Sequence, residues 1–161
     1  MGKVIIVSGS VGSGKTTVAK ILAKRLKARF VDVKRIIEEH KEVVVGYDKQ
    51  RKTKEVDIKK LNKIVLKIIK NTKGKVVIDS HMSHYLPKRV VDLCIICKCN
   101  LKELKKRLQK RKYHAEKIRE NLDADIFDVC LVEATERGHN IVLVDTDKDV
   151  KKQLKVIVNF L

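Results

Sequence analysis

The residues best suited to chemistry come early. Residues 8–17, "SGSVGSGKTT", fit the pattern G-x-x-x-x-G-K-[ST] at Gly9, Gly14, Lys15 and Thr16. Such a stretch can cradle a triphosphate. Successive backbone N–H groups of residues 10–15 wrap anionic oxygens, provided no side chain blocks close approach. Glycine at 9, 12 and 14 removes the Cβ where the loop turns tightest. A helix starting near Lys15 would aim its unpaired N–H groups and its dipole at the same phosphate. Lys15 can reach the β- and γ-phosphates, and the Thr16 hydroxyl can ligate Mg²⁺. Gly12, Gly14, Lys15, Thr16 and Thr17 are therefore the candidate ATP-binding residues.

A second constellation is "KVVIDSHMSHYLPKR", residues 75–89. Asp79 ends an apolar strand, where its carboxylate would reach the same Mg²⁺ through water. His81 follows two residues on, at the mouth of the expected site, and is a candidate catalytic group. His84 has no comparable placement. A third is Arg111 in "RKYHAEKIREN", residues 111–121. A planar guanidinium can span oxygens of two phosphates, although such a run also suits a solvated surface.

These side chains need a frame. Apolar runs mark strands at residues 4–7, 30–33, 76–79, 93–98 and 141–145. Helical periodicity fits 15–28, 36–40, 58–71, 101–110, 116–135 and 150–158. Nearly all-apolar strands alternating with helices indicate a three-layer α/β fold, a parallel sheet of about five strands covered on both faces. Ligands then bind at the carboxyl ends of the strands, and the first of these is Ser8-Gly9. Residues 41–57 and 111–121 are polar, basic excursions from this core.

A guanine switch would carry N-K-x-D after a later strand. The Asn62-Lys63 pair lies inside a helix and continues Ile-Val, which argues against one. A helicase or transporter ATPase needs more chain than 161 residues. The class that remains is small kinases with such a phosphate loop, which hold a second substrate opposite the triphosphate. They need an acceptor-binding insertion and a basic lid, and the two excursions are candidates for both.

The whole chain is consistent with one domain, residues 1–161. Its formal charge is +18, and residues 1–80 carry 21 of the 38 Lys and Arg but 8 of the 20 acids. Such a field favours nucleotides or RNA, while a Lys-rich surface also suits life at high temperature. No apolar stretch approaches a membrane span, and no signal-peptide layout opens the chain, so a cytoplasmic protein without membrane contact is expected. Of the four cysteines, three sit in an apolar strand with no second ligand pair, so core cysteines are expected rather than a zinc site.

Together, the phosphate loop at Gly9–Thr17, the D-x-H of Asp79-Ser80-His81, the "RKY" of Arg111–Tyr113 and "ENLDADIFDVCLVEAT" at Glu120–Thr135 resemble the adenylate kinase isoenzyme 6 family. The resemblance implies nucleoside monophosphate kinase activity on AMP or a related acceptor, together with ATP hydrolysis. It further implies an acceptor-binding region near residues 30–53 and a lid near 110–120. A role in maturation of the small ribosomal subunit, through its eleventh ribosomal protein, is implied as well, with a possible rRNA contact through the basic surface. Two departures stand out: Lys34-Arg35 replaces Gly-Asp after the second strand, and Arg111-Lys112-Tyr113 replaces R-G-Y, implying a stiffer hinge. Lys148, after the last strand, is a candidate neighbour of the adenine. Two alternatives to the kinase are an assembly ATPase that releases a ribosomal protein and a small-metabolite kinase resembling shikimate kinase.

Overall fold

The five apolar runs do pair into one parallel sheet in the computed structural model, which describes residues 2–161. Its strands are β1 (Val4–Gly9), β2 (Arg29–Asp32), β5 (Val76–Asp79), β6 (Leu93–Lys98) and β7 (Ile141–Asp145), in the order β2-β5-β1-β6-β7. All four pairings are parallel. β1 is thus central, and its alternation splits the core. Val4 and Ile6 face α2 (Val33–Glu39), α3 (Ile58–Lys70) and α6 (Val129–Glu136). Ile5 and Val7 face α1 (Lys15–Leu26) and α7 (Val150–Asn159). A sheet buried on both faces requires nearly all-apolar strands, as β1, β5 and β6 are up to their polar carboxyl ends at Ser8, Asp79 and Lys98.

The second strand ends one residue early, because the Asp32 carboxylate accepts from Lys34 N–H (2.9 Å) and starts α2 at Val33. This is ordinary N-capping. The single helix expected over 116–135 is instead two, α5 (Ala115–Ile126) and α6. Asp128 breaks them apart in the left-handed conformation (φ 52°), where its carboxylate pairs with the Lys98 ammonium. Periodicity could not show this, since the break depends on Lys98, far away in the chain.

The first excursion holds an antiparallel hairpin, β3 (Val44–Asp48) and β4 (Thr53–Val56). Its second strand begins where the expected acceptor-binding region ends. The second excursion opens as a tight turn after α4 (Leu101–Lys110), with Lys112 at φ 56°, and continues as the first part of α5. Lys112 stands where the resemblance calls for glycine, and a lysine there carries strain of about 1 kcal/mol. The hairpin tip and the start of α5 touch: Arg51 Nε lies 3.2 Å from Glu120 Oε1, and Gln50 Nε2 lies 3.3 Å from Glu116 Oε1.

All four cysteines are free. Cys94 and Cys97 lie on opposite faces of β6. Cys99 falls beyond the strand and joins a small cluster with Leu104 and Leu108, so it does not share a sheet face with Cys97 as simple alternation suggests. No group of His, Cys, Asp or Glu among the described residues has metal-site geometry. No helix is long and apolar enough to cross a membrane.

Candidate active site

The carboxyl end of β1 runs directly into the phosphate loop and then α1. Gly9, Gly12 and Gly14 all have positive φ (143°, 86° and 89°). The space a Cβ would need is filled from the protein side. At Gly9 it would meet the Cys97 carbonyl oxygen at 2.7 Å and Ser13 Oγ at 2.8 Å; at Gly14 it would meet Thr146 and Arg107. The glycines therefore let the loop press against β6 and α4 as well as turn.

Lys15 opens α1, its Nζ 3.4 Å from the Ser10 carbonyl oxygen. Burial lowers its pKa, Asp79 opposes that, and the nearby Arg111 cation adds to the lowering. An ammonium under this pressure gains most from an arriving anion. Arg111 is exposed at the end of α4, yet near enough to be felt by Lys15. The Arg111 charge therefore acts on Lys15 without touching it.

Asp79, at the end of β5, is buried and accepts from the Thr16 hydroxyl at 2.6 Å through Oδ2. Its Oδ1 is buried without a hydrogen-bond partner. Burial raises the Asp79 pKa, while the Thr16 hydrogen bond and the Lys15 charge hold it down. A hydroxyl and a carboxylate side by side with an orphaned oxygen suit a hard divalent cation, which takes oxygen ligands. These residues therefore fit Mg²⁺.

His81 follows the turn at Ser80, whose hydroxyl accepts from Met82 N–H (3.0 Å). The residue is exposed, but protein mass close around its ring, then Lys15 and then His84, push its pKa down to about 4. It is therefore neutral near pH 7. Thr17 is exposed beside Thr16. Lys148 is exposed and pairs with Asp145 at 3.0 Å. Its loop reaches the phosphate loop through Thr146, whose hydroxyl donates to the Ser13 carbonyl oxygen at 2.7 Å.

Several residues of the site carried no signal in sequence. Arg107 lies along the back of the phosphate loop, its Nη1 3.3 Å from the Gly12 carbonyl oxygen and 3.2 Å from Thr146 Oγ1. Asp125, buried on α5, accepts from the Ser10 hydroxyl at 2.9 Å and so ties the helix after the lid turn to the loop. His84, given no role above, is fully buried. Its Nδ1 meets Ser8 Oγ at 2.9 Å and its Nε2 meets Glu133 Oε2 at 2.7 Å. Tyr85 also donates to Glu133 (2.8 Å). The only available hint was a Ser-His-Tyr run after an apolar strand, which shows polarity but no partner.

The chain is similar to known proteins. Residues 5–128 match the family model described as "AAA domain". The protein named "Putative adenylate kinase" of Thermococcus kodakarensis is 36% identical over 160 residues, covering 98% of this chain and 85% of its own. Its namesake in Methanocaldococcus jannaschii is 32% identical over 154 residues, covering 96% and 83%. "Adenylate kinase isoenzyme 6 homolog FAP7" of Saccharomyces cerevisiae is 31% identical over 154 residues, covering 95% and 77%. Among solved structures, the shikimate kinase of Acinetobacter baumannii in complex with shikimate superposes with a TM-score of 0.68 at 16% identity, over 99% of this chain and 93% of that one. At that identity the likeness speaks for the fold alone.

Proposed function

The chain belongs to the adenylate kinase isoenzyme 6 family, and on that premise we propose that it transfers the γ-phosphoryl group of ATP to AMP or a related nucleoside monophosphate. The observation that carries this reading is the Thr16–Asp79 pair with its orphaned oxygen, set beside Lys15 within reach of the Arg111 charge. In the reaction, an oxygen of the acceptor phosphate forms the new P–O bond. The bond from the γ-phosphorus to the β–γ bridging oxygen breaks, and that oxygen leaves with one ADP. Charge builds on the transferring group, so fixed cations are the protein's main contribution.

Lys15 supplies one such cation from the loop, and Arg111 a second from the lid turn. Backbone N–H groups of residues 10–15 hold the β-phosphate. Thr16 and Asp79 would hold Mg²⁺, which would supply charge neutralisation at the phosphates. Arg107 and the Thr146–Lys148 loop, which meet the phosphate loop at Gly12 and Ser13, would lie beside the adenine of ATP. The hairpin β3–β4 and the region after β2 would take the acceptor.

A second activity, ATP hydrolysis, is favoured by one observation. His81 follows the candidate metal-holding Asp79 by two residues and feels the Lys15 charge, which with burial holds its pKa down to about 4, so its neutral ring could accept a hydrogen bond from water near the γ-phosphate. Following the resemblance, that activity would serve maturation of the small ribosomal subunit, with its eleventh ribosomal protein as partner. An acceptor screen with Mg-ATP tests the main reading: AMP-dependent ADP production supports it. Turnover only with a non-nucleotide acceptor such as shikimate would sink it, and hydrolysis that depends on a ribosomal protein and ignores AMP would favour the assembly ATPase. His81→Ala should lower ATP hydrolysis at least tenfold more than AMP phosphorylation, since only hydrolysis needs a positioned water. Equal loss in both would remove the water-positioning role.

A further inference from the structure

In a parallel sheet every strand enters at one end, and here that end carries a cluster of cations. Nine of the fourteen Lys and Arg in residues 1–31 and 58–78, two stretches without an acid, lie at that end. At the entrance edge Val76 N–H donates to the Lys3 carbonyl (2.8 Å) and Arg29 N–H to the Lys75 carbonyl (2.9 Å). Lys3, Lys75 and Arg29 therefore stand side by side across β1, β5 and β2. The Arg29 guanidinium reaches Thr72 Oγ1 (3.0 Å), bringing in Lys73 and the exit of α3. α1 ends at the same pole with Lys24, Arg25 and Lys27 exposed, and α3 with Lys67 and Lys70.

Cations in the last turn of a helix are favoured by its dipole, which accounts for Lys24, Arg25, Lys67 and Lys70. It does not account for Lys3, Arg29, Lys73 and Lys75, which lie outside the helices. Nor are these charges neutralised: among the described residues none of them forms an ion pair. Asp92, at the same end, directs its carboxylate to Val4 N–H (2.7 Å). The nucleotide does not explain the pole either, because the phosphate loop lies at the opposite end of β1.

We propose that this pole is a docking surface for double-helical RNA, held through its phosphodiester backbones. Unpaired cations in one patch repel each other, and binding a polyanion relieves that while releasing counterions. None of the exposed large apolar side chains falls within residues 1–31 or 58–78. The segments that carry these cations thus offer neither the apolar anchors of a membrane-binding face nor aromatic platforms on which single-stranded bases stack. A duplex, recognised by its regular phosphates, fits what is present. The choice of RNA over DNA rests on the ribosome-maturation part of the proposed function; the charge geometry does not.

Fluorescence anisotropy of a labelled, mixed-sequence RNA duplex across a KCl series tests this without nucleotide. The pole triple variant is Lys27→Glu, Lys70→Glu and Lys73→Glu, and the control triple, on the outer side of α4, is Lys102→Glu, Lys105→Glu and Lys106→Glu. The pole triple should weaken RNA binding at least tenfold and reduce the log–log salt slope by about 2–3, the control by less than threefold. The milder Lys→Gln triple at the pole should show the same ranking, which guards against misfolding by the acidic set. ATP turnover of the pole triple should stay within twofold of wild type. Lys15→Ala should bind RNA normally, which separates this inference from the kinase reading. Equal weakening by both triples would reduce the pole to diffuse charge and overturn the proposal. So would tighter binding to a DNA duplex of the same length, or binding only to phosphatidylserine vesicles.

Discussion

Replacing His84 by Phe should destabilise the protein by about 2–3 kcal/mol, and the figure follows from what each ring nitrogen loses. Glu133 only accepts, so Nε2 must carry the proton and Nδ1 must accept from the Ser8 hydroxyl. Ser8 is fully buried. Once Nδ1 is gone, its hydroxyl keeps only the long contact to the His81 carbonyl at 3.3 Å, a loss of about 1 kcal/mol. The charge-assisted bond to Glu133 is stronger, but that side chain is 34% exposed and Tyr85 still serves it. Water and the tyrosine together limit the second loss to about 1–2 kcal/mol. For a domain of this size each kcal/mol shifts Tm by about 2–4 °C, so calorimetry should record a fall of roughly 4–12 °C. Ser8→Ala combined with His84→Phe should be milder than the sum of the two, because removing both partners leaves no unpaired hydroxyl. A Tm within 1 °C of wild type for His84→Phe, or strict additivity in the double variant, would refute the buried relay.

Lys15→Ala should cut nucleotide turnover about a hundredfold or more while leaving Tm nearly unchanged, since a transition-state charge contact is lost and no core is removed; turnover within threefold of wild type in a coupled assay would contradict this. Arg111→Ala should lower the rate of phosphoryl transfer far more than ATP affinity in the open state, because a lid contact forms only on closure. Calorimetric ATP binding set beside single-turnover rates separates the two, and equal losses would place Arg111 in the resting site. Acid should destabilise the fold: His81 is pushed down to about 4 and His84 is also lowered from the ordinary 6.5, so both stay neutral when folded. Their contribution is complete above about 6.5 and is lost as pH falls from there toward about 4, because the unfolded chain takes up those protons first. Urea titrations across that window would contradict this if stability held constant.

The chain's local patterns were enough to determine the layered frame and the loop. A glycine-rich turn between an apolar strand and a helix has few other physical uses, and nearly all-apolar strands can only be buried on both faces. Asp79 was also legible, since a carboxylate ending such a strand needs a polar site to face. Strand order, hairpin and helix break were decided elsewhere. The break at Asp128 depends on Lys98, 30 residues away, and β3–β4 forms from a stretch whose composition is that of a loop. The same holds for Arg107, Asp125 and the Ser8–His84–Glu133 relay. Each owes its role to a partner distant in sequence, and periodicity registers only neighbours within a turn or a pleat. What the sequence carries is which face of each element must be hidden; only the packed molecule decides which polar groups meet once those faces are closed.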